Sequence, residues 1–216
     1  MLPMLIFENQ EALDCAVRML AQREPRFAGV VEVKGLPLLR TMKGGLSSLL
    51  RTITEQLLSL QSAQTIWTRI EKEIRPLDTA NLLKLGETGL RDLGLSGSKA
   101  RTFLAVSNAV ASGQLDFDHL HTLSDEEASA ILQSIKGIGP WTADVYLLQA
   151  MGRANVWPAA DLALQVAATD LFGLKSRPGV RDMNNLASAW QPVRSAAAHL
   201  LWSHYRQLKR LPNAGC

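Results

Sequence analysis

From residue 45 onward the apolar residues recur every three to four positions, as in Leu46, Leu49, Leu50, Ile53, Leu57 and Leu60. That period puts them on one face of an α-helix, and no stretch sustains the two-residue alternation of a half-buried strand. The chain is therefore expected to be all-α. Helices are predicted over about 9–22, 45–59, 62–74, 78–83, 86–92, 97–112, 124–134, 140–151, 160–171, 181–189 and 192–209. Phe27 to Val33 alternates just enough to suggest a short extended piece, without a partner strand. Ser124, followed by Asp125, Glu126 and Glu127, has the form of an N-cap with a capping box. Pro140 sits where a first-turn proline loses no hydrogen bond, and Ala160 or Asp161 opens a helix after Pro158. The breaks fall at Gly35, Gly94, Gly113, Gly137 to Gly139 and Pro178-Gly179, with no long flexible linker. One unit with two lobes is expected, residues 1–40 and about 152–216 in one and about 41–151 in the other.

The 216 residues are 47% hydrophobic and 20% charged, enough to bury a sizeable core and too apolar for disorder to be the default. A net charge of +3 leans toward a polyanionic partner without requiring one. Cys15 and Cys216 stand at opposite ends without a CxxC spacing, so neither a disulfide framework nor a zinc or iron–sulfur site is expected. The apolar start, Met1 to Phe7, has no basic flank and meets Glu8 at once, unlike a signal peptide. No run reaches the ~20 apolar residues of a membrane span. A soluble cytoplasmic protein follows as the expectation, nucleoid-associated if bacterial.

Function is most legible at Gly137-Ile138-Gly139, which joins the amphipathic helix ending near Ser134 to the helix opening at Pro140. Such a turn presents amides at a helix N-terminus, where the helix dipole adds positive charge, and this suits a DNA phosphate. Ile138 is expected to pack inward and hold the loop. Taken alone, Gly-Ile-Gly is also an ordinary helix–helix connection. Twenty residues after Trp141 stands the carboxylate Asp161, at the end of Pro158-Ala159-Ala160-Asp161. It reads equally as an ordinary helix N-cap after a proline turn or as a functional carboxylate.

Leu132, Ile135, Lys136, Gly137, Ile138, Gly139, Thr142 and Ala143 together resemble the helix-hairpin-helix (HhH-GPD) DNA glycosylase superfamily, and the spacing to Asp161 is similar to its 3-methyladenine DNA glycosylase II branch. The resemblance continues in Glu55-Gln56-Leu57-Leu58-Ser59, in Gly94-Leu95-Ser96 with Lys99, and in Trp190 to Ser195 with Leu201-Trp202, so it runs from about Pro25 to Trp202. It implies a two-lobed helical glycosylase fold with the active site in the cleft between lobes. It also implies a base-excision-repair hydrolase that flips an alkylated purine such as 3-methyladenine out of double-stranded DNA, and leaves an abasic site. Larger members add an N-terminal β-rich domain, for which the roughly 24 residues ahead of the resemblance leave no room. Members that also cut the backbone carry a Schiff-base lysine where this chain has Trp141, so no lyase activity is expected.

Carried over residue by residue, the resemblance makes Asp161 catalytic and places Trp141, Trp202 and Tyr146 at the base pocket. DNA binding falls to Gly137, Ile138, Gly139, Thr142, Lys99, Gln56, Leu57 and Arg194, with Leu57 as the wedge that fills the flipped base's place. Lys136 and Arg101 are further candidate phosphate cations. By periodicity alone Leu57 belongs to the core, and both tryptophans fit packing as well as a pocket. Val145 stands where relatives have a stacking tyrosine, and Val193 replaces an aromatic before Arg194. These departures keep open a glycosylase for another lesion, such as ethenoadenine or a deaminated base. A non-catalytic helix-hairpin-helix DNA-binding module is the remaining alternative. Relatives hold a monovalent cation through hairpin carbonyls, which would fall at Ile135 and Ile138 as a Na+ or K+ site. No other cofactor is implied, and a monomer is expected.

Overall fold

A short stretch after the first helix shows how local signals decide this fold. Glu24 caps it with a side chain that accepts from the Arg26 N–H, Pro25 occupies the first turn, and Gly35 ends it at a φ of 73°. The result is a helix, α2 (Pro25–Lys34), and not the extended piece that its alternation suggested. Phe27 and Val30, three residues apart, are both buried, so one helical face carries the apolar residues that the strand reading had split between two.

The computed structural model describes residues 5–40 and 42–210. Met1 to Met4, Thr41 and Cys216 therefore lie outside the described residues, while Cys15 is exposed. The chain is all-α as expected. Its helices are α1 (Gln10–Arg23), α2, α3 (Leu46–Glu55), α4 (Leu60–Glu73), α5 (Thr79–Asp92), α6 (Gly97–Ala111), α7 (Phe117–Leu120), α8 (Asp125–Gln133), α9 (Pro140–Ala150), α10 (Leu162–Leu171), α11 (Val180–Ala187) and α12 (Arg194–Arg210). A single 3-10 turn, Ser188–Trp190, follows α11. The two pieces foreseen at 78–83 and 86–92 are both present within α5, separated at Gly86, whose φ of 68° and ψ of -176° are not helical. The short α7 was not foreseen; Asp116 caps it by accepting from the Asp118 and His119 N–H groups. Among the described residues the one β-type pairing is an isolated bridge between Ile6 and Arg153. No helix is long and apolar enough to cross a membrane.

Two units compose the chain: residues 1–41 with 152–216, and residues 42–151. In the first, α1, α2, α10 and α12 pack together. Its core holds an aromatic cluster in which Trp190 meets Phe27 at 5.2 Å, Trp157 at 5.3 Å and Phe172 at 5.7 Å between ring centres. The second unit is the discontinuous unit's insert and packs α3 on α4, α6 and α9, α5 on α6, and α8 on α9. Leu49, Leu50, Ile53, Leu132 and Leu147 are all fully enclosed there.

Candidate functional site

In the unit of residues 42–151 the hairpin forms between α8 and α9 as the sequence indicated. Ser124 and Glu127 complete the capping box at the start of α8, and Pro140 occupies the first turn of α9. The Ile138 N–H closes the turn on the Ile135 carbonyl at 3.0 Å, and the Ile138 side chain is buried. Gly137 is required twice over. Its φ is 96°, in the left-handed region, and a Cβ there would collide with Thr102 Oγ1 on α6. Gly139 caps α9 without a side chain. The turn can thus approach a phosphate with backbone alone, aided by the dipole of an eleven-residue helix.

A second exposed element lies beside it. Beyond Glu55 the chain leaves α3, and Leu57 takes a φ of 54°, making it the one non-glycine residue at positive φ among the described residues. Leu57 is also 105% exposed, so the residue that periodicity placed in the core is the most solvent-exposed large hydrophobic among the described residues. A left-handed leucine costs energy that its own exposed side chain does not offset.

The side chains around Leu57 are tethered. Gln56 Nε2 donates to Thr142 Oγ1 at 2.7 Å and to the Gly137 carbonyl at 3.4 Å. Lys99 Nζ donates to the carbonyls of Thr54 at 2.8 Å and Gln56 at 2.6 Å. Partial burial lowers the Lys99 pKa from its ordinary value. Three expected DNA contacts therefore face inward. Lys99 serves carbonyls at the end of α3, because the last helical carbonyls lack intrahelical donors and attract a cation. Thr142 is buried and accepts from Gln56, which is itself engaged. Tyr146, expected at the base pocket, is 1% exposed; its hydroxyl accepts the Gly45 N–H at 3.0 Å and burial pushes its pKa up to about 12. Trp141 is half-buried and Lys136 exposed, while Arg101 pairs with Glu87 at 2.9 Å.

In the other unit Asp161 caps α10. Its Oδ1 accepts the Leu164 N–H at 3.0 Å and the Trp202 indole N–H at 3.2 Å, and the residue is 8% exposed. Two donors fix the carboxylate in place at the helix N-terminus. The cap and the candidate catalytic group are the same side chain. One turn earlier on α12, His199 is buried and meets the Trp202 ring edge to face at 5.8 Å. Burial, with Arg40 and Arg206 nearby, lowers the His199 pKa to about 4, so the imidazole is neutral near pH 7. Sequence reasoning missed His199; the three-residue step to Trp202 was the available signal. Arg194 Nε donates to Asn155 through both its carbonyl at 2.9 Å and its Oδ1 at 3.0 Å, which ties the start of α12 to the segment before Pro158.

The described residues hold no cluster of His, Cys, Asp and Glu fit for a metal. The hairpin carbonyls of Ile135 and Ile138 are the hard oxygen donors that a monovalent cation takes, and Ile135 keeps a lone pair beyond its bond to the Ile138 N–H.

Comparison with known proteins bears on both units. The pattern of the family described as HhH-GPD superfamily base excision DNA repair protein matches residues 50–192. YfjP of Bacillus subtilis, a proposed DNA-3-methyladenine glycosylase, is 36% identical over 121 residues, or 56% of this chain and 42% of that protein. The alkylbase DNA glycosidase-like protein mag2 of Schizosaccharomyces pombe is 28% identical over 159 residues, covering 71% of this chain and 75% of mag2. The chain thus matches less than half of the first relative's length and three quarters of the second's. Among solved structures, the S. pombe 3-methyladenine DNA glycosylase Mag1 in complex with abasic DNA has a TM-score of 0.83 at 24% identity. That alignment covers 93% of this chain and 99% of that one, and it shows a shared fold.

Proposed function

The chain belongs to the HhH-GPD superfamily of base excision DNA repair proteins, and we propose that it is a DNA glycosylase hydrolysing the N-glycosidic bond of alkylated purines such as 3-methyladenine. The observation that carries this reading is the carboxylate of Asp161, nearly enclosed, held by a backbone N–H and by the Trp202 indole. Departure of the base develops positive charge on the sugar, and a fixed carboxylate stabilises that charge or orients the attacking water. The hairpin of Gly137, Ile138 and Gly139, with exposed Lys136 beside it, takes a DNA phosphate through backbone amides and charge. Leu57 fills the space left by the extruded base, and its exposure on a strained backbone supports that role. Trp202 beside Asp161, and Trp141 within its own unit, each carry an indole face of the kind that attracts a cationic alkylated base by about 0.5–2 kcal/mol.

Trp141 stands where a lyase would need its lysine, so the product is an intact strand with an abasic site. The partner is double-stranded DNA carrying damaged bases, met by a monomer in the compartment that holds the DNA, the cytoplasm in a bacterium. A Na+ or K+ ion on the Ile135 and Ile138 carbonyls would add positive charge at the hairpin. A second reading, excision of another lesion such as ethenoadenine or a deaminated base, is favoured by one observation. Val145 is buried where relatives place a stacking tyrosine, and Tyr146 is occupied with Gly45. Excision measured across a panel of lesions in labelled duplexes tests both readings: release of 3-methyladenine supports the first, and release of only another base supports the second.

A further inference from the structure

The Leu57 turn is tied to the hairpin by two routes, both within the unit of residues 42–151. Directly, the Gln56 amide reaches the hairpin at Thr142 Oγ1 and the Gly137 carbonyl. Indirectly, α6 touches both elements from one face. Thr102 fills the space where Gly137 lacks a side chain, and Lys99, three residues earlier and so one turn away, places its ammonium on the carbonyls of Thr54 and Gln56. These two carbonyls flank Glu55, the last residue of α3, and that of Gln56 immediately precedes the left-handed Leu57. A leucine at that φ relaxes toward ordinary backbone unless its surroundings over-determine it. The surroundings here do so from one side only, since Leu57 itself is fully exposed.

We propose that Lys99 is a positioning residue whose ammonium, together with the Gln56 amide, holds Leu57 erect at a fixed register from the Gly137–Gly139 hairpin, so that phosphate capture and entry of Leu57 into the base stack occur as one event. The inference rests on reading Leu57 as the wedge. It assigns Lys99 an action through Leu57 and none on the reacting bond. Two of the three ammonium N–H donors are held by carbonyls, and the burial that lowers the pKa fits a group facing protein, whereas a contact with phosphate alone would leave it exposed.

Physically, unstacking a paired base costs a few kcal/mol, and a wedge that is already in place recovers part of that cost. Losing the register should therefore matter only where the base must be unstacked. The test compares full-length wild type, Lys99→Met, Leu57→Ala and the double variant on a 3-methyladenine lesion in paired duplex and in single-stranded DNA. Lys99→Met is expected to lower kcat/KM about tenfold on the duplex and less than about twofold on the single strand. In the Leu57→Ala background it should add less than about twofold, since both changes remove one device. The slope of log Kd against log salt should stay that of wild type. Gln56→Met, which cuts the other tether, should give the same pattern and serves where Lys99→Met fails to fold. Equal losses on both substrates that add to those of Leu57→Ala overturn the proposal, as does a salt slope reduced by about one, the mark of a lost phosphate contact. Should wild type excise no alkylated base, the catalytic reading fails by itself. Emission of 2-aminopurine in the duplex then reports unstacking directly: a rise with wild type that Lys99→Met and Leu57→Ala both abolish supports the proposal, and no rise with wild type or no effect of Lys99→Met overturns it.

Discussion

The Trp202 indole N–H donates to Oδ1 of Asp161 at 3.2 Å, so an aromatic face and a carboxylate are held in one rigid pair between α12 and the start of α10. Both α-helices belong to the same unit, and they pack on one another. On the proposed function, the pair would combine a surface for a flat, electron-poor base with a charge for the sugar beside it. The Leu164 N–H supplies the second donor to the same oxygen, so the carboxylate does not depend on the indole alone for its position.

Trp202→Phe keeps an aromatic face and removes one donor. A hydrogen bond to a charged group is worth about 1.5–3 kcal/mol, so kcat should fall about tenfold or more with KM changed less than about threefold. Steady-state excision kinetics read both, and an unchanged kcat would show that the indole N–H does not brace the acid.

Leu57→Gly should separate stability from activity. Glycine tolerates a φ of 54° without strain and Leu57 buries nothing within its unit, so denaturant unfolding should show unchanged stability or a gain of up to about 1 kcal/mol. Excision from duplex DNA should fall at the same time. A stability loss above about 1 kcal/mol would mean that Leu57 packs in the folded state.

Gly137→Ala should be costly, because alanine pays for positive φ and must also displace Thr102. A loss of about 1–3 kcal/mol is expected in unfolding experiments. Pairing it with Thr102→Ala should restore part of that loss and leave the backbone part, and full restoration would contradict the conformational argument.

His199 should make stability depend on pH in acid. Burial holds its folded pKa at about 4, below the unfolded value near 6.5, so between these values the unfolded chain binds a proton that the folded chain does not. The associated stability is fully present above about pH 6.5 and is lost as pH falls toward 4, up to about 3 kcal/mol in all. Thermal melts of wild type and His199→Gln across pH 4–7 test this: the variant's curve should be flatter by that amount, and parallel curves would contradict it.

Much of this molecule can be read from the chain because its signals are local. Ser124 and Glu127, Pro140 and the Gly137–Gly139 turn need only their own neighbours to form what they form. Asp161 was legible twice, as a cap and as a candidate acid, and the structure shows the cap. What escaped depends on partners far along the chain. Lys99 was read as a phosphate cation, and its bonds to the carbonyls of Thr54 and Gln56, more than forty residues away, could not be read from the chain. Leu57 fitted the apolar period of α3, yet the helix stops at Glu55, and the residue's fate is set by what Gln56 finds at Thr142. The α2 segment escaped for another reason: the Glu24-Pro25 start signal was present and was outweighed by a weak alternation.

The most direct measurement is release of 3-methyladenine from a labelled duplex by wild type and by Asp161→Asn, with DNA binding followed in parallel. Asn keeps a side-chain acceptor for the Leu164 N–H and the Trp202 indole while removing the charge. Release by wild type, an abasic site with an uncut strand, and a loss of at least about a hundredfold in the variant with binding retained are the predicted result. Full activity in Asp161→Asn, or a wild type that binds duplex DNA and releases no base from any lesion, would contradict it.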